Sequence, residues 1–452
     1  MKKHLLISVS ILASCFNLKA QVWSALGSGM IGNYYAAGSV LALTTHNNTL
    51  IAGGIFSAAG GKPVSNIAQW NGTSWSALGS GVNVNTLSTN NYEVGALIVY
   101  NGNVIAGGAF DTAGGNLANN IAQWNGATWS ALSSGINGEG VGALTIYNSN
   151  LIAGGVFSTA GGNPANNIAQ WNGTTWSALG TGVGSGSVNA LTVYNGNLIA
   201  AGFFDSAGGK PANNIAQWNG TTWSVLGAGL NHYVNALAVY NGNLIAAGCF
   251  DSAGGKPVNY IAQWNGTTWS GLGLGLNNLP YALTTYNNEL IAGGQFFGAG
   301  GKTARYIAEW NDTNWSALGI GMDTNIVFAL TVYNSSLIAG GAFDSAGGVS
   351  ANNIAQWNVL SGINELNSDN GNIIVYPNPS NGIFNLQSGI KNYESKGIEV
   401  YNMLGEKIYS QSFSIQNSTF KIDISSQPAG IYLYRVTSEK GELVGSGKLV
   451  IE

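Results

Sequence analysis

One decapeptide, WNGTTWSALG at residues 171–180, recurs along most of the chain and constrains its fold more than any other feature. All 14 tryptophans belong to the repeat. Seven follow Ile-Ala-Gln or Ile-Ala-Glu: Trp70, Trp124, Trp171, Trp218, Trp264, Trp310 and Trp357. The other seven precede Ser-Ala-Leu or a close variant: Trp23, Trp75, Trp129, Trp176, Trp223, Trp269 and Trp315. The period is 46 or 47 residues in the later units and slightly longer in the first two, which is typical of propeller blades.

Each unit is predicted to form four strands, which we name a, b, c and d. VNALTVY alternates in polarity and ends at NGN, a two-residue hairpin signal, before NLIAAGFF. A looser DSAGGKPA connection then leads to NNIAQW, a tight NGT turn and TTWSALG. One four-stranded sheet per repeat, seven times over, predicts an all-β fold: a seven-bladed β-propeller.

The two ends of the array predict how the ring closes. The repeat begins with VWSALG, a strand d without its blade, and stops at NNIAQWN, a strand c without its d. We therefore expect the seventh blade to take strands a, b and c from residues 327–358 and strand d from residues 22–27. This exchange removes the open edges that a linear array would leave.

The repeats resemble those of kelch-type propellers. A glycine pair ends strand b in five units: Gly53-Gly54, Gly107-Gly108, Gly154-Gly155, Gly293-Gly294 and Gly340-Gly341. An aromatic residue on strand c and a tryptophan on strand d follow, as in kelch repeats. Two units depart from the pattern with Ala201-Gly202 and Ala247-Gly248, and tryptophan stands where kelch repeats usually have tyrosine. The resemblance implies the propeller fold and says little about function.

The N-terminus predicts export. Residues 1–20 combine a basic start, an apolar run and a cleavage site before Gln21, as a signal peptide does. The alternative is a lipoprotein signal, in which Cys15 of LASC is lipidated. The apolar run is too short to span a bilayer, so we expect no transmembrane segment in the mature chain. Cleavage before Gln21 would leave Cys249 as the only cysteine, which we expect to be buried and inert.

The repeat stops after Asn358, and the composition changes. Residues 359–371 are polar and predicted to be a linker, and residues 372–452 contain four alternating stretches of a small β-sandwich: YPNPSNGIFNL, VYNMLGEKIYS, DISSQPAGIYLYRV and GKLVIE. These stretches resemble the type A C-terminal sorting domain of the type IX secretion system of Bacteroidota. The resemblance implies that residues 372–452 bind the type IX translocon after Sec export. It also implies an extracellular or outer-membrane surface location.

Composition excludes some partners, and the loops suggest others. Charged residues make up 8% of the chain and the net charge is −4, so nucleic acid is not an expected partner. Antiparallel strands place the d-to-a and b-to-c connections on one face, the loop face, and the NGN and NGT turns on the opposite turn face. The loop face carries the longest connections, and its candidate ligand-binding residues are Tyr34, Tyr35, Tyr92, His232 and Tyr233.

No catalytic or metal-binding set is visible, and no cofactor is expected. Glu93, Glu139, Glu289 and Asp323 offer carboxylates for a hydrolase pair, but the sequence does not fix their separation. Aspartates that begin the b-to-c loops read as turn residues. The Asp-Ser/Thr-Ala tripeptides resemble the O-glycosylation motif of Bacteroidota, with Thr112, Ser206, Ser252 and Ser345 as candidate acceptors.

Three functions are consistent with these features. The leading hypothesis is a non-catalytic, secreted or surface-displayed propeller that binds a glycan or a protein through its loop face. The second is a glycan-active hydrolase or lyase whose carboxylates converge at the channel mouth. The third is a structural surface protein without a ligand.

Overall fold

The computed structural model describes residues 21–32, 38–83, 94–359, 373–388, 396–402, 406–413, 420–438 and 443–452. The predicted signal peptide, Cys15 and most of the predicted linker lie outside these ranges. All regular structure in the described residues is β. The chain divides into two compact units, of which one is Gln21–Val359 and the other contains the described C-terminal residues.

The unit Gln21–Val359 is the predicted seven-bladed propeller. It contains seven antiparallel sheets with the strand order a-b-c-d. Neighbouring blades contact each other through strand a, which is therefore the innermost strand.

In blades one to seven, strand a spans Ser39–His46, Ala96–Tyr100, Ile136–Tyr147, Gly186–Tyr194, Val234–Tyr240, Pro280–Tyr286 and Val327–Tyr333. Strand b spans Thr49–Ile55, Asn103–Gly107, Asn150–Ala160, Asn197–Phe204, Asn243–Gly248, Glu289–Gly294 and Ser336–Gly341. Strand c spans Ile67–Trp70, Ile121–Trp124, Ile168–Trp171, Ile215–Trp218, Ile261–Trp264, Ile307–Trp310 and Ile354–Val359. Strand d spans Trp75–Ala77, Trp129–Ala131, Trp176–Ala178, Trp223–Val225, Trp269–Gly271 and Trp315–Ala317, and blade seven takes Gln21–Ala25.

The N-terminal strand closes the ring, as the sequence predicts. Gln21–Ala25 pairs antiparallel with Ile354–Val359, so that Trp23 lies opposite Trp357. The hydroxyl of Tyr333 in blade seven donates to the carbonyl oxygen of Asn48 in blade one at 3.0 Å. The first and last blades therefore bond to each other directly.

The tryptophan pairs form the packing between strands c and d. In blade three the rings of Trp171 and Trp176 lie 5.4 Å apart at 45°, and both indoles are buried. The Nε1 atom of Trp176 donates to the carbonyl oxygen of Leu132 in the preceding blade at 3.0 Å. Each strand-d indole thus fills space within its blade and ties that blade to its neighbour.

The glycine pairs permit close packing. A Cβ atom on Gly154 would lie 2.5 Å from Cγ1 of Val188 in the next blade, which is closer than real carbon atoms approach. A Cβ atom on Gly155 would lie 3.0 Å from the Cα atom of Val141 and still closer to the carbonyl oxygen of Gly140. In blade three, the first glycine therefore permits close approach of the next blade, and the second accommodates strand a of its own blade.

The b-to-c connections are more regular than the sequence analysis expects. Each folds as a miniature hairpin, such as Ala58–Ala59 paired with Lys62–Pro63. Gly60 and Gly61 have φ values of +59° and +75°, as the two central residues of a type I′ turn require. The hairpin of each blade pairs with the d-to-a connection that leads into that blade; in blade one Met30 pairs with Ala59. Within the described residues, the connections of the loop face therefore pair with each other.

The C-terminal unit is a small two-sheet structure. One sheet has three strands: Ile373–Tyr376, Ile383–Ser388 and Phe420–Asp423. The other has four, in the spatial order Lys407–Phe413, Lys396–Tyr401, Gly430–Ser438 and Leu443–Ile451. Its core includes Phe384, Ile398, Ile422 and Leu449, which are all buried. Each of the four sequence stretches that predict a sandwich overlaps one or more of these strands.

Candidate functional site

A cavity lies at the centre of the propeller, toward the loop face. Its volume is about 480 Å³, within the range of roughly 300–1,000 Å³ that is typical of small-ligand sites. The lining residues come from the start of strand a and the end of strand b, and both of these strand ends lie at the loop face. All seven blades contribute, so the cavity surrounds the central axis.

One residue per blade forms the inner wall. It occupies position x of the repeated segment Val-x-Ala-Leu, which in blade six is Pro-x-Ala-Leu. In six blades the pairing of strands a and b shifts register at this position, which marks a β-bulge. A bulge re-aims the side chain, and in this fold it faces the axis. We call these residues the bulge ring: Leu41, Gly95, Gly142, Asn189, Asn235, Tyr281 and Phe328.

The bulge ring is chemically uneven, although the segments around it are nearly identical. Blades four and five contribute amides, blades six and seven contribute aromatic rings, and blades two and three contribute glycines. The side-chain Nδ2 atom of Asn189 donates to the carbonyl oxygen of Val234 at 3.3 Å. That of Asn235 donates to the carbonyl oxygen of Pro280 at 3.0 Å. Each amide is thereby held by the next blade, and its side-chain oxygen remains as an acceptor for a ligand.

The aromatic side of the bulge ring is a paired surface. The rings of Tyr281 and Phe328 lie 5.4 Å apart at 63°, an edge-to-face arrangement. Both side chains are half-buried, so each keeps part of its surface toward the cavity. An apolar platform therefore stands beside the two amides.

Three aromatic residues extend this surface to the rim at blades four and five. The His232 ring lies 4.7 Å from the Tyr233 ring and 6.1 Å from the Phe203 ring. We call these three residues the rim cluster. Phe203 is 56% exposed, which is unusual for a phenylalanine in a repeat whose sister blades carry Ala109 or Val156 at this position.

Tyr233 connects the rim cluster to the cavity. Burial, a hydrogen bond with the Cys249 thiol and the charges of Cys249 and Tyr281 together raise the pKa of its hydroxyl to about 12. The hydroxyl is therefore neutral at physiological pH and acts as a hydrogen-bonding group. Cys249 is half-buried and belongs to this rim, which differs from the buried position that the sequence analysis expects.

The structure places two of the five predicted ligand-binding residues. His232 and Tyr233 lie together at the rim, on the loop face. Tyr34, Tyr35 and Tyr92 lie outside the described residues. Sequence reasoning missed Phe203 and the bulge ring. Their signal is variation: these are positions where otherwise identical repeats differ.

The described candidate carboxylates lie in different elements of the propeller. Glu139 is the only charged residue in the described cavity lining. Glu289 begins strand b at the turn face. Asp323 accepts hydrogen bonds from the backbone N–H groups of Thr324 and Ser345, so it stabilises a connection. Glu93 lies outside the described residues.

The predicted glycosylation acceptors occupy the miniature hairpins. Thr112 is 8% exposed, and its hydroxyl donates to the carbonyl oxygen of Asn83 at 3.3 Å. Ser206, Ser252 and Ser345 are half-buried at the equivalent position. The Ser206 hydroxyl donates to Oδ1 of Asp205 at 3.0 Å. Modification of Thr112 would require its hairpin to open, so the three serines are better placed as acceptors.

Two classes of feature are missing from the described part of the chain. In those residues no group of three or more histidine, cysteine, aspartate or glutamate side chains is arranged to hold a metal ion. The same ranges contain no helix with the length and apolarity needed to cross a bilayer.

Comparison with known proteins identifies the C-terminal unit. Residues 374–452 match the family model of the secretion system C-terminal sorting domain. No curated protein matches the chain.

Two solved structures from Bacteroides thetaiotaomicron are similar at low identity. One is a structural genomics protein of unknown function, which is 11% identical over 75% of this chain and 76% of that chain, with a TM-score of 0.38. The other is the extracellular domain of a one-component system, which is 10% identical over 93% of this chain and 76% of that chain, with a TM-score of 0.24. Neither score supports an argument about function. The family match does support such an argument. Residues 374–452 are a type IX sorting domain, which indicates secretion or display at the cell surface.

Proposed function

We propose that this protein is an exported, non-catalytic binding module that takes its ligand through the loop face, at the mouth of the central cavity. The type IX sorting domain supplies the route to the cell exterior, through its interaction with the translocon. The signal peptide, with Sec export ahead of that step, belongs to the same proposal. So does the kelch-like character of the repeats.

The main support for the proposal is the set of positions at which the repeats differ. Core positions such as the c and d tryptophans are the same in every blade, because they build the same packing seven times. The bulge ring differs between blades and surrounds one cavity, and the rim cluster lies next to it. An uneven wall around a central cavity suits recognition of a particular ligand, whereas a seven-fold identical wall would suit a purely structural ring.

An enzymatic function has thinner support. A glycan hydrolase of the usual two-carboxylate kind needs a second acidic side chain within roughly 10 Å of the first. The described lining contributes only Glu139. A glycan-active hydrolase or lyase therefore remains the second hypothesis, and turnover of a bound glycan would favour it.

The repeat itself supplies variants that test loop-face binding. Phe203→Ala introduces the residue that blades two and seven carry as Ala109 and Ala342. The matched control on the turn face is Thr174→Ala, because blade two has Ala127 at that position. The purified full chain would be screened against immobilised glycans and extracellular proteins.

We expect Phe203→Ala, and Ala substitutions of His232 and Tyr233, to weaken binding of any ligand found. Thr174→Ala should leave it unchanged. Loss of binding only in Thr174→Ala would place the site on the turn face and overturn the proposal. Failure of every loop-face variant to alter binding would overturn it as well.

A further inference from the structure

We propose that the central cavity holds one sugar unit of a neutral saccharide, with its hydroxyls toward Asn189 and Asn235 and its apolar face on Tyr281 and Phe328. This inference rests on the loop-face function proposed above and assigns its ligand class. It also assigns the contacting residues, none of which sequence analysis singles out.

The amide side provides oriented polar groups. The Nδ2 atoms of Asn189 and Asn235 are held by backbone carbonyls of the next blade, at 3.3 Å and 3.0 Å. Their side-chain oxygens are then positioned acceptors on adjacent blades. Sugar hydroxyls can donate to both oxygens. Because the two side chains are already held in place, binding costs little of their conformational entropy.

The aromatic side suits the other face of a sugar ring. A pyranose presents a patch of C–H groups on one face and hydroxyls around its edge. Tyr281 and Phe328 form an edge-to-face pair next to the amides, and both remain half-buried. A ring that stacks on this platform can therefore reach the amide oxygens with its hydroxyls.

Gly95 and Gly142 leave the cavity open, and the backbone does not require glycine at either position. A Cβ atom on Gly95 would come no closer than 3.7 Å to other atoms, and one on Gly142 no closer than 3.5 Å. Both distances are ordinary contacts, and neither residue has a positive φ. A side chain would therefore fit the fold at these positions, as Leu41 does in blade one. What glycine provides there is empty volume.

The charge of the lining favours a neutral ligand. The described lining contains one carboxylate, Glu139, and no lysine or arginine. A uronate or sulfated sugar would place its negative charge near that carboxylate without a cation to pair with it. The size of the cavity favours a small unit over a docked protein, because a stable protein interface buries roughly 800 Å² on each partner.

The test combines four variants with defined probes. Tyr281→Asn and Asn235→Gly introduce residues that other blades carry at this position, and Gly142→Leu introduces that of blade one. Gly271→Ala is the matched control, because strand d ends in alanine in blades one, two, three, six and seven. The probes are oligomers of glucose, galactose, mannose and N-acetylglucosamine, an oligogalacturonate and a lysine-rich peptide. Affinity of the full chain is measured by titration calorimetry after an array screen.

We expect at least one neutral oligomer to bind. Tyr281→Asn and Asn235→Gly should each weaken it by roughly tenfold, the effect of losing one good contact. Gly142→Leu should abolish binding with no loss of thermal stability, and Gly271→Ala should change nothing.

Three results would overturn the inference. They are preference for the oligogalacturonate, preference for the peptide, and binding of a neutral oligomer that Gly142→Leu leaves intact. In each of these cases, weaker binding of the ligand by Phe203→Ala would still support the loop-face function, and only the saccharide assignment would be rejected. Absence of any ligand that responds to either Phe203→Ala or Gly142→Leu would remove both.

Discussion

The indole Nε1 of Trp23 donates to the carbonyl oxygen of Leu318 at 3.1 Å, although the two residues are 295 positions apart. The same bond joins Trp75 to Leu26 and Trp176 to Leu132. Each strand-d tryptophan therefore bonds to the end of strand d in the preceding blade. Only for Trp23 does this bond bring together the two ends of the array, so it reports directly on ring closure.

Replacing Trp23 should destabilise the whole propeller. Trp23→Ala removes a buried indole, which costs about 3–5 kcal/mol in a protein core, and it also opens the blade that joins the chain ends. The control is Val22→Ala, since Val22 is 40% exposed on the same strand. Urea unfolding followed by tryptophan fluorescence measures the difference. Equal midpoints for the two variants would contradict closure by this strand.

Gly155 on strand b and Gly142 on strand a of blade three should respond in opposite directions to substitution by alanine. In Gly155→Ala the new Cβ meets the backbone of strand a in its own blade, so the strand must shift at a cost of about 1–3 kcal/mol. In Gly142→Ala the Cβ finds its nearest neighbour at 3.5 Å, so stability should be unchanged or rise by about 0.4–1 kcal/mol from the lower entropy of the unfolded chain. The denaturant midpoints of the two variants measure these changes in stability. A larger loss in Gly142→Ala would show that this glycine is structural.

The propeller could be predicted from the sequence because its signals are local and repeated. Asn101 and Gly102 have φ values of +49° and +78°, the type I′ turn that the NGN tripeptide predicts. The miniature hairpins were missed although Ala-Gly-Gly-Lys carries the same kind of signal. There the flanking strands are only two residues long, as in Ala58–Ala59, and leave no alternating pattern.

The cavity wall could not be read in the same way. Asn189 and Tyr281 each stand near the start of a strand, where a single different residue looks like ordinary variation. Their shared role depends on a bulge that re-aims one side chain and on a ring that brings distant blades together. Neither follows from local periodicity. Differences between otherwise equal repeats are the signal that would have pointed to these positions.

Removing the sorting domain should block export without unfolding the propeller. A chain lacking residues 374–452 loses the segment that matches the sorting family and keeps the compact unit Gln21–Val359. In a type IX-competent host, we expect immunoblots to find this variant in the periplasmic fraction and the intact chain outside the cell. All 14 tryptophans lie before the deletion, so fluorescence of the retained protein reports its folding. Equal amounts of both chains in the medium would contradict the translocon role.

Blade six should make the stability of the propeller depend on pH. In blade five, Asn243 donates to Oε1 of Gln263 at 3.4 Å, and blade six has Glu289 and Glu309 in these positions. Burial raises the pKa of Glu309 to about 7, and the hydrogen bond with Glu289 contributes. Because the ordinary value is 4.5, the folded state holds a proton that the unfolded chain releases between these two pH values.

The free energy of unfolding should therefore fall as the pH rises from about 4.5 to 7, and stay low above that range. Glu309 is half-buried, so solvent screening reduces the effect to the order of 1 kcal/mol. Glu309→Gln installs the residue that the other six blades carry, and it should remove this loss and raise stability at pH 8. Glu289→Asn should act in the same direction, with little further gain in the double variant, because one substitution already breaks the acidic pair. Urea unfolding at pH 5 and pH 8 measures each value. A pH slope in Glu309→Gln as steep as in the parent chain would show that another group causes it.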